Sequence, residues 1–238
     1  MILFYVRHGQ SANNALYEAT QTDRNRVMDP ELTEAGVRQA ARAAEALCSG
    51  QPLTRSRAGG AGGFGVTHVY CSLMVRAVHT GQPIARALGL PLLGWTELHE
   101  GGGIFMEDPD TGTLTGHPGN SRTALTGRFP ELVWPADAGS DGWWNRPFEE
   151  PAERPGRARR VLAELLRRHG GTEDRVVFVS HAGFFYWFMN AVLEMAPRRD
   201  QWFHIYNTSI SCLEFSAEAG VGVRYLNRVD HLPAELIS

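Results

Sequence analysis

Ile2-Leu3-Phe4-Tyr5-Val6-Arg7-His8-Gly9-Gln10-Ser11 joins an unbroken run of five apolar residues to a polar, glycine-containing turn. A run of that length without alternation is how a strand reads when both of its faces are buried, as in the middle of a parallel sheet. The arrangement recurs twice. Val66 to Cys71 ends at Ser72, with Arg76 four residues on, and Arg175-Val176-Val177-Phe178-Val179-Ser180 runs into His181-Ala182-Gly183. Open parallel sheets bind ligands beyond the carboxyl ends of their strands, so these three strand ends predict that Arg7, His8, Arg76 and His181 meet at one edge. Guanidinium forks neutralise and orient the equatorial oxygens of a phosphoryl group while a neutral imidazole attacks in line, which makes phosphate the expected ligand class.

Helical patterns alternate with these strands. Thr33 is placed as an N-cap, with Leu32 and Val37 as a hydrophobic staple, and Val37, Ala40, Ala41, Ala44, Leu47 and Cys48 recur at helical spacing. Val75 to Leu88 reads as a second helix. Ala158, Val161, Leu162, Leu165 and Leu166 form the stripe of a third, with Arg157, Arg159, Arg160, Arg167 and Arg168 assigned to its polar face, and Phe184 to Leu193 as a fourth. Ile210 to Phe215 and Val221 to Leu226 predict an antiparallel hairpin at one edge. Residues 101–156 carry seven of the 13 prolines and three of the six tryptophans without sustained periodicity, and are read as an inserted cap. The expectation is one domain over residues 1–238: a three-layer α/β/α sandwich with a mostly parallel sheet and a cap at 101–156.

Composition removes several alternatives. All 23 basic side chains are arginine, so a lysine Schiff base and the lysine of a P-loop are both excluded. The net charge of −3 gives no basic footprint for nucleic acid or an anionic membrane. Cys48, Cys71 and Cys212 form no Cys-x-x-Cys, and the histidines show no ligand spacing along the chain, so neither a disulfide framework nor a metal centre is indicated. Phe184 to Met189, the richest apolar stretch, is too short to span a bilayer. Gly60-Ala61-Gly62-Gly63-Phe64-Gly65 matches a dinucleotide fingerprint but precedes a strand, and Arg55 to Gly65 is read as a flexible loop. Only four residues separate Cys71 from Arg76, one fewer than a cysteine phosphatase needs. A cytoplasmic monomer or homodimer acting on a small molecule is expected.

Six ordered segments resemble the histidine phosphatase superfamily, which includes the cofactor-dependent phosphoglycerate mutases. They are Arg7-His8-Gly9-Gln10-Ser11, Asp29-Pro30-Glu31-Leu32-Thr33-Glu34-Ala35-Gly36, Ser72-Leu73-Met74-Val75-Arg76-Ala77, Glu97-Leu98-His99-Glu100, Val179-Ser180-His181-Ala182-Gly183 and Asn207-Thr208-Ser209-Ile210. The resemblance implies that His8 is the nucleophile that takes the phosphoryl group. It further implies that Arg7, Asn14, Arg76 and His181 bind its oxygens, with His181 also catalytic, and that Glu100 is the acid, with Glu97 as the alternative. No metal or other cofactor is implied. Flanking cations lower an imidazole pKa and so keep His8 neutral. Gly9 and Gly183 are expected to let backbone approach the anion, and Ser11 either binds phosphate or caps a short helix.

The mutases carry a tryptophan before the motif asparagine and a Glu-Arg-x-Tyr-Gly stretch around the acid. This chain has Asn13 and Leu98-His99-Glu100-Gly101-Gly102 at those places, which favours a phosphatase. A mutase, or a weakly active relative that holds a phosphorylated ligand, are the alternatives. Arg122, Arg128, Trp143, Trp144 and Arg146 of the cap are the candidate specificity residues for a small phosphomonoester.

Overall fold

A computed structural model describes residues 1–22, 24–50, 63–198 and 200–238. The predicted Arg55–Gly65 loop and the glycine-rich fingerprint fall largely outside them. The elements run β1 (Ile2–Arg7), α1 (Ala12–Thr20), α2 (Glu34–Ser49), β2 (His68–Cys71), α3 (Val75–Leu88), β3 (Leu92–Gly94), β4 (Phe105–Glu107), β5 (Leu114–Gly116), α4 (Arg122–Arg128), β6 (Leu132–Val133), α5 (Arg154–His169), β7 (Arg175–Ser180), α6 (Ala182–Val192), β8 (Ile210–Ser216) and β9 (Gly220–Arg228). Seven strands form one sheet in the order β6-β3-β2-β7-β1-β8-β9. Its first five are mutually parallel, and β8 and β9 add the antiparallel hairpin at one edge.

The pleat sends alternate residues of each central strand to opposite layers. Phe4 and Val6 of β1, with Val177 and Val179 of β7, pack in one core with Ala43, Ala44 and Leu47 of α2 and Val78, Ile84 and Ala85 of α3. Leu3, Tyr5, Val176 and Phe178 face the other layer, against Val161 and Leu165 of α5 and Phe184, Phe185 and Phe188 of α6. The expected three-layer α/β/α sandwich is what the chain forms. No helix among the described residues is long and apolar enough to cross a membrane.

Two details differ from the reading of the sequence. The buried face of α2 consists of Gly36, Gln39, Ala40, Ala43, Ala44 and Leu47, while Val37 is 44% exposed and Ala41 and Cys48 face solvent. The helix is rolled because Gly36 lies against the turn after β1: a Cβ on Gly36 would stand 2.1 Å from the Gln10 carbonyl oxygen, and one on Gly9 would stand 2.5 Å from that of Gly36. Gly9 therefore serves the close approach of α2. Residues 101–156 hold the β4–β5 hairpin and α4, but they also return a strand to the main sheet, where β6 pairs parallel with β3. Both strands are too short to leave a periodic signature.

Candidate active site

His8 follows β1 and is only 4% exposed. Its Nδ1 lies 2.7 Å from the Gly9 carbonyl oxygen. A carbonyl can only accept, so Nδ1 carries the proton and the lone pair of the neutral ring sits on Nε2. Arg76 Nε donates to that Nε2 at 3.2 Å. Burial, then the charges of Arg76 and Arg7, hold the His8 pKa well below the ordinary imidazole range. The site thus presents a neutral imidazole with its free nitrogen against a guanidinium.

Arg76 lies in the first turn of α3 and is 7% exposed. Its Nη1 stands 3.6 Å from Asp29 Oδ1. Asp29 also accepts from the Val75 amide at 3.0 and 3.2 Å and from Asn120 Nδ2 at 3.0 Å, so one carboxylate joins the α3 N-terminus, Arg76 and Asn120. Burial pushes its pKa up to about 6 despite the opposing charge of Arg76. Nothing in the sequence marks Asp29 or Asn120 for the site, because each acts through a tertiary contact.

His181 follows β7, and its ring centroid is 5.0 Å from that of His8. The side chain is fully buried, yet neither ring nitrogen has a hydrogen-bond partner among the described residues. Arg7 donates from Nη1 to the Ile205 carbonyl at 2.7 Å, while its buried Nε is likewise unpartnered. Buried polar atoms without partners are costly and mark places a ligand can satisfy. Burial foremost, followed by Arg76, keeps His181 neutral, and burial pulls Arg7 down to about 10, still a cation at neutral pH.

Glu100 brings its carboxylate to the start of α6, where Oε2 accepts from the Gly183 amide at 3.0 Å and Oε1 from the Gly101 amide at 2.8 Å. A Cβ on Gly183 would stand 2.4 Å from Oε1, so this glycine makes room for the carboxylate itself. Glu97 points elsewhere: it pairs with Arg160 on the half-exposed face of α5. Asn14 spends its Oδ1 on Ser11, at 3.1 Å from the amide and 2.9 Å from Oγ, and Ser11 is the N-cap of α1 in a reciprocal capping box. Asn13 instead ties the Val27 backbone in both directions. Asn207 Nδ2 donates to the His8 carbonyl at 2.8 Å and reaches Asn14 Oδ1 at 3.5 Å.

The acid-bearing loop is clamped from behind. Arg157, 2% exposed, forks onto Glu149 at 2.5 and 2.9 Å and donates from Nη1 to the carbonyls of Glu97 and His99 at 2.7 and 2.9 Å. The assignment of Arg157 to a solvated face is therefore corrected. It stands four residues before Val161 and eight before Leu165, on the buried stripe, a periodicity its charge concealed.

Among the cap candidates, Trp143 and Trp144 are buried and pack on His99, with ring centroids 6.1 and 4.5 Å away. Arg146 is exposed and lies over Trp144, with Cζ 4.4 Å from the ring centroid. Arg128 is engaged bidentately with Glu31 at 2.8 and 3.0 Å, and Arg122 is exposed in the first turn of α4.

The family profile of the histidine phosphatase superfamily, branch 1, matches residues 3–228. A search of curated proteins gave no match. Among solved structures, similar folds occur in phosphoserine phosphatase from Entamoeba histolytica in complex with 3-phosphoglyceric acid (21% identity, TM-score 0.60, covering 98% of this chain and 99% of that one). They occur also in the alpha-ribazole phosphatase from Shigella flexneri (21%, 0.61, 96% and 96%) and in mycobacterial glucosyl-3-phosphoglycerate phosphatase (21%, 0.57, 96% and 99%). With a profile match over nearly its whole length, and with the two histidines and two arginines of the motif at the strand ends, the chain belongs to the histidine phosphatase superfamily, branch 1.

Proposed function

We propose that the protein is a phosphomonoesterase that hydrolyses a small phosphorylated metabolite through a phosphohistidine at His8, without a metal ion, in the cytoplasm. The observation that carries this reading is the fixed tautomer of His8: Nδ1–H is spent on the Gly9 carbonyl, and the Nε2 lone pair is turned to Arg76 Nε, with the His181 ring alongside.

The phosphoryl group takes over the donors of Arg76, satisfies Arg7 Nε and meets a nitrogen of His181 and the amide of Asn14. His8 Nε2 attacks phosphorus as the ester P–O bond breaks, and Glu100, in its carboxylic acid form, gives its proton to the departing alkoxide. Glu100 then takes a proton from water, which attacks phosphorus; the P–N bond breaks and inorganic phosphate leaves with His8 neutral again. The guanidinium groups supply the charge stabilisation that a metal supplies elsewhere. Three features support hydrolysis over a mutase reaction: Asn13 is committed to the Val27 backbone, Glu100 is followed by glycines, and the similar structures named above are all phosphatases. Arg122, Arg128 and Arg146 are the proposed specificity residues, with the buried Trp143 and Trp144 supporting Arg146 and His99 from beneath.

Hydrolysis of an aryl phosphate in the presence of chelator tests the reading. His8→Ala is expected to lose at least about 10³-fold in kcat, with an acid-labile phosphoenzyme trapped only in the wild type. Activity that vanishes with chelator, or that survives His8→Ala, refutes it.

A further inference from the structure

A second group of side chains converges at the other end of the sheet. His68 begins β2, His169 ends α5 and Asp174 immediately precedes β7. Because β2 and β7 are parallel neighbours, the group stands at their amino-terminal ends, about 20 Å of strand away from the ends that carry His8 and His181. One ligand atom from each of the three lies within 4.8 Å of the others. His169 Nδ1 is 2.8 Å from Asp174 Oδ2, His68 Nδ1 is 4.0 Å from Asp174 Oδ1, and the imidazole centroids are 4.6 Å apart, edge to face. Tetrahedral zinc with nitrogen and oxygen ligands at about 2.0–2.1 Å spaces them about 3.3 Å apart, so the 2.8 and 4.0 Å separations fall on either side of the requirement and the 4.8 Å limit asks for a closing of up to about 1.5 Å.

The surroundings are those of a ligand set. His169 is 3% exposed, and its Nε2 faces the Tyr70 hydroxyl at 3.1 Å. A ligating histidine needs its other N–H held by an acceptor, and the phenol oxygen provides one once Nδ1 is given to a metal. Thr172 Oγ1 donates to the His169 carbonyl at 2.8 Å and accepts from the Asp174 amide at 3.0 Å, which fixes the turn between the two ligands. Arg168, over Tyr70, is balanced by Glu164 at 2.7 Å. The side chains of His68 and Asp174 are 35% and 28% exposed, which leaves an entry path and a coordination position for water.

We propose that His68, His169 and Asp174 bind a divalent transition metal ion of the zinc class, completed by water, which fastens the end of α5 to the starts of β2 and β7. Two imidazoles and a carboxylate suit zinc or cobalt better than magnesium or calcium. The spacing along the chain gives no hint of it, because the three residues come from separate elements. The ion is structural and takes no part at His8.

Chelator-treated protein titrated with Zn(II) in a calorimeter is expected to take up one equivalent. His68→Ala and Asp174→Asn, each shown folded by circular dichroism, should weaken binding by about 10-fold or more. Zn(II) at roughly 100 times the wild-type Kd should raise the wild-type Tm by about 5 °C or more and the variants by about half as much or less. Co(II) should give ligand-field absorption that is lost in His68→Ala. No saturable uptake overturns the proposal, as does uptake of unchanged affinity in both variants, which would put the ion elsewhere, on His8 and His181 for example. None of these readouts depends on phosphatase activity, so the two readings fail separately.

Discussion

Gly183→Ala places one methyl group against the proposed acid. The new Cβ would stand 2.4 Å from Glu100 Oε1, 2.9 Å from Cδ and 3.1 Å from Oε2, where ordinary contacts begin near 3.4 Å. The carboxylate must therefore retreat by about 1 Å and loosen the 3.0 Å hydrogen bond from the residue 183 amide. A misplacement of that size costs on the order of 100-fold in rate, and the loss should fall in kcat because Arg7 and Arg76, the proposed phosphate ligands, are untouched. Stability should hold. Gly183 is in the first turn of α6 with φ outside the left-handed region, the clash is with the far end of a flexible side chain, and alanine gains up to about 1 kcal/mol in helix propensity. The assay pairs kcat for an aryl phosphate with Tm. If Glu100 is the acid, Glu100→Gln should be at least as slow, and the double variant no slower than Glu100→Gln alone. A Gly183→Ala enzyme within about threefold of wild type would refute the assignment of Glu100 by showing that its position does not matter.

Two further outcomes follow from the same geometry. Arg157→Met leaves Glu149 buried without its fork, and is expected to cost about 3–5 kcal/mol, or roughly 10 °C in Tm, with most of the loss recovered by adding Glu149→Leu; a loss under about 1 kcal/mol would contradict a structural clamp. Burial raises the Asp29 pKa from 3.8 to about 6, so its protonated form contributes stability that is present below pH 4 and lost as the pH rises through 6. Asp29→Asn lacks this titration, and its stability relative to wild type should therefore improve by up to about 3 kcal/mol between pH 4 and pH 7, as read by urea unfolding; parallel pH profiles would argue against it.

The sheet was legible because buried parallel strands leave continuous apolar runs, and the residues after β1, β2 and β7 were legible because topology brings those ends together. Glycine contacts escaped notice: nothing in the one-letter code says that Gly9 and Gly36 touch, yet that contact sets the roll of α2. The clamp at Arg157 was hidden by the habit of assigning charge to solvent, although its spacing to Val161 and Leu165 is that of a core position. Asp29, Asn120 and Asn207 act through partners distant in sequence, and polar residues of that kind have no periodicity to betray them. The strands β3 and β6 were lost to brevity.

Residues 101–156 are stitched to the rest of the chain at several separate points: β6 lies in the sheet beside β3, Glu149 is held by Arg157, and Asn120 bonds to the carboxylate beside Arg76. A segment fastened in this way cannot swing as a hinged door. If His8 turns over a phosphate ester as proposed, no closing movement of this segment is expected to limit the rate, and turnover should follow the chemistry and the release of product.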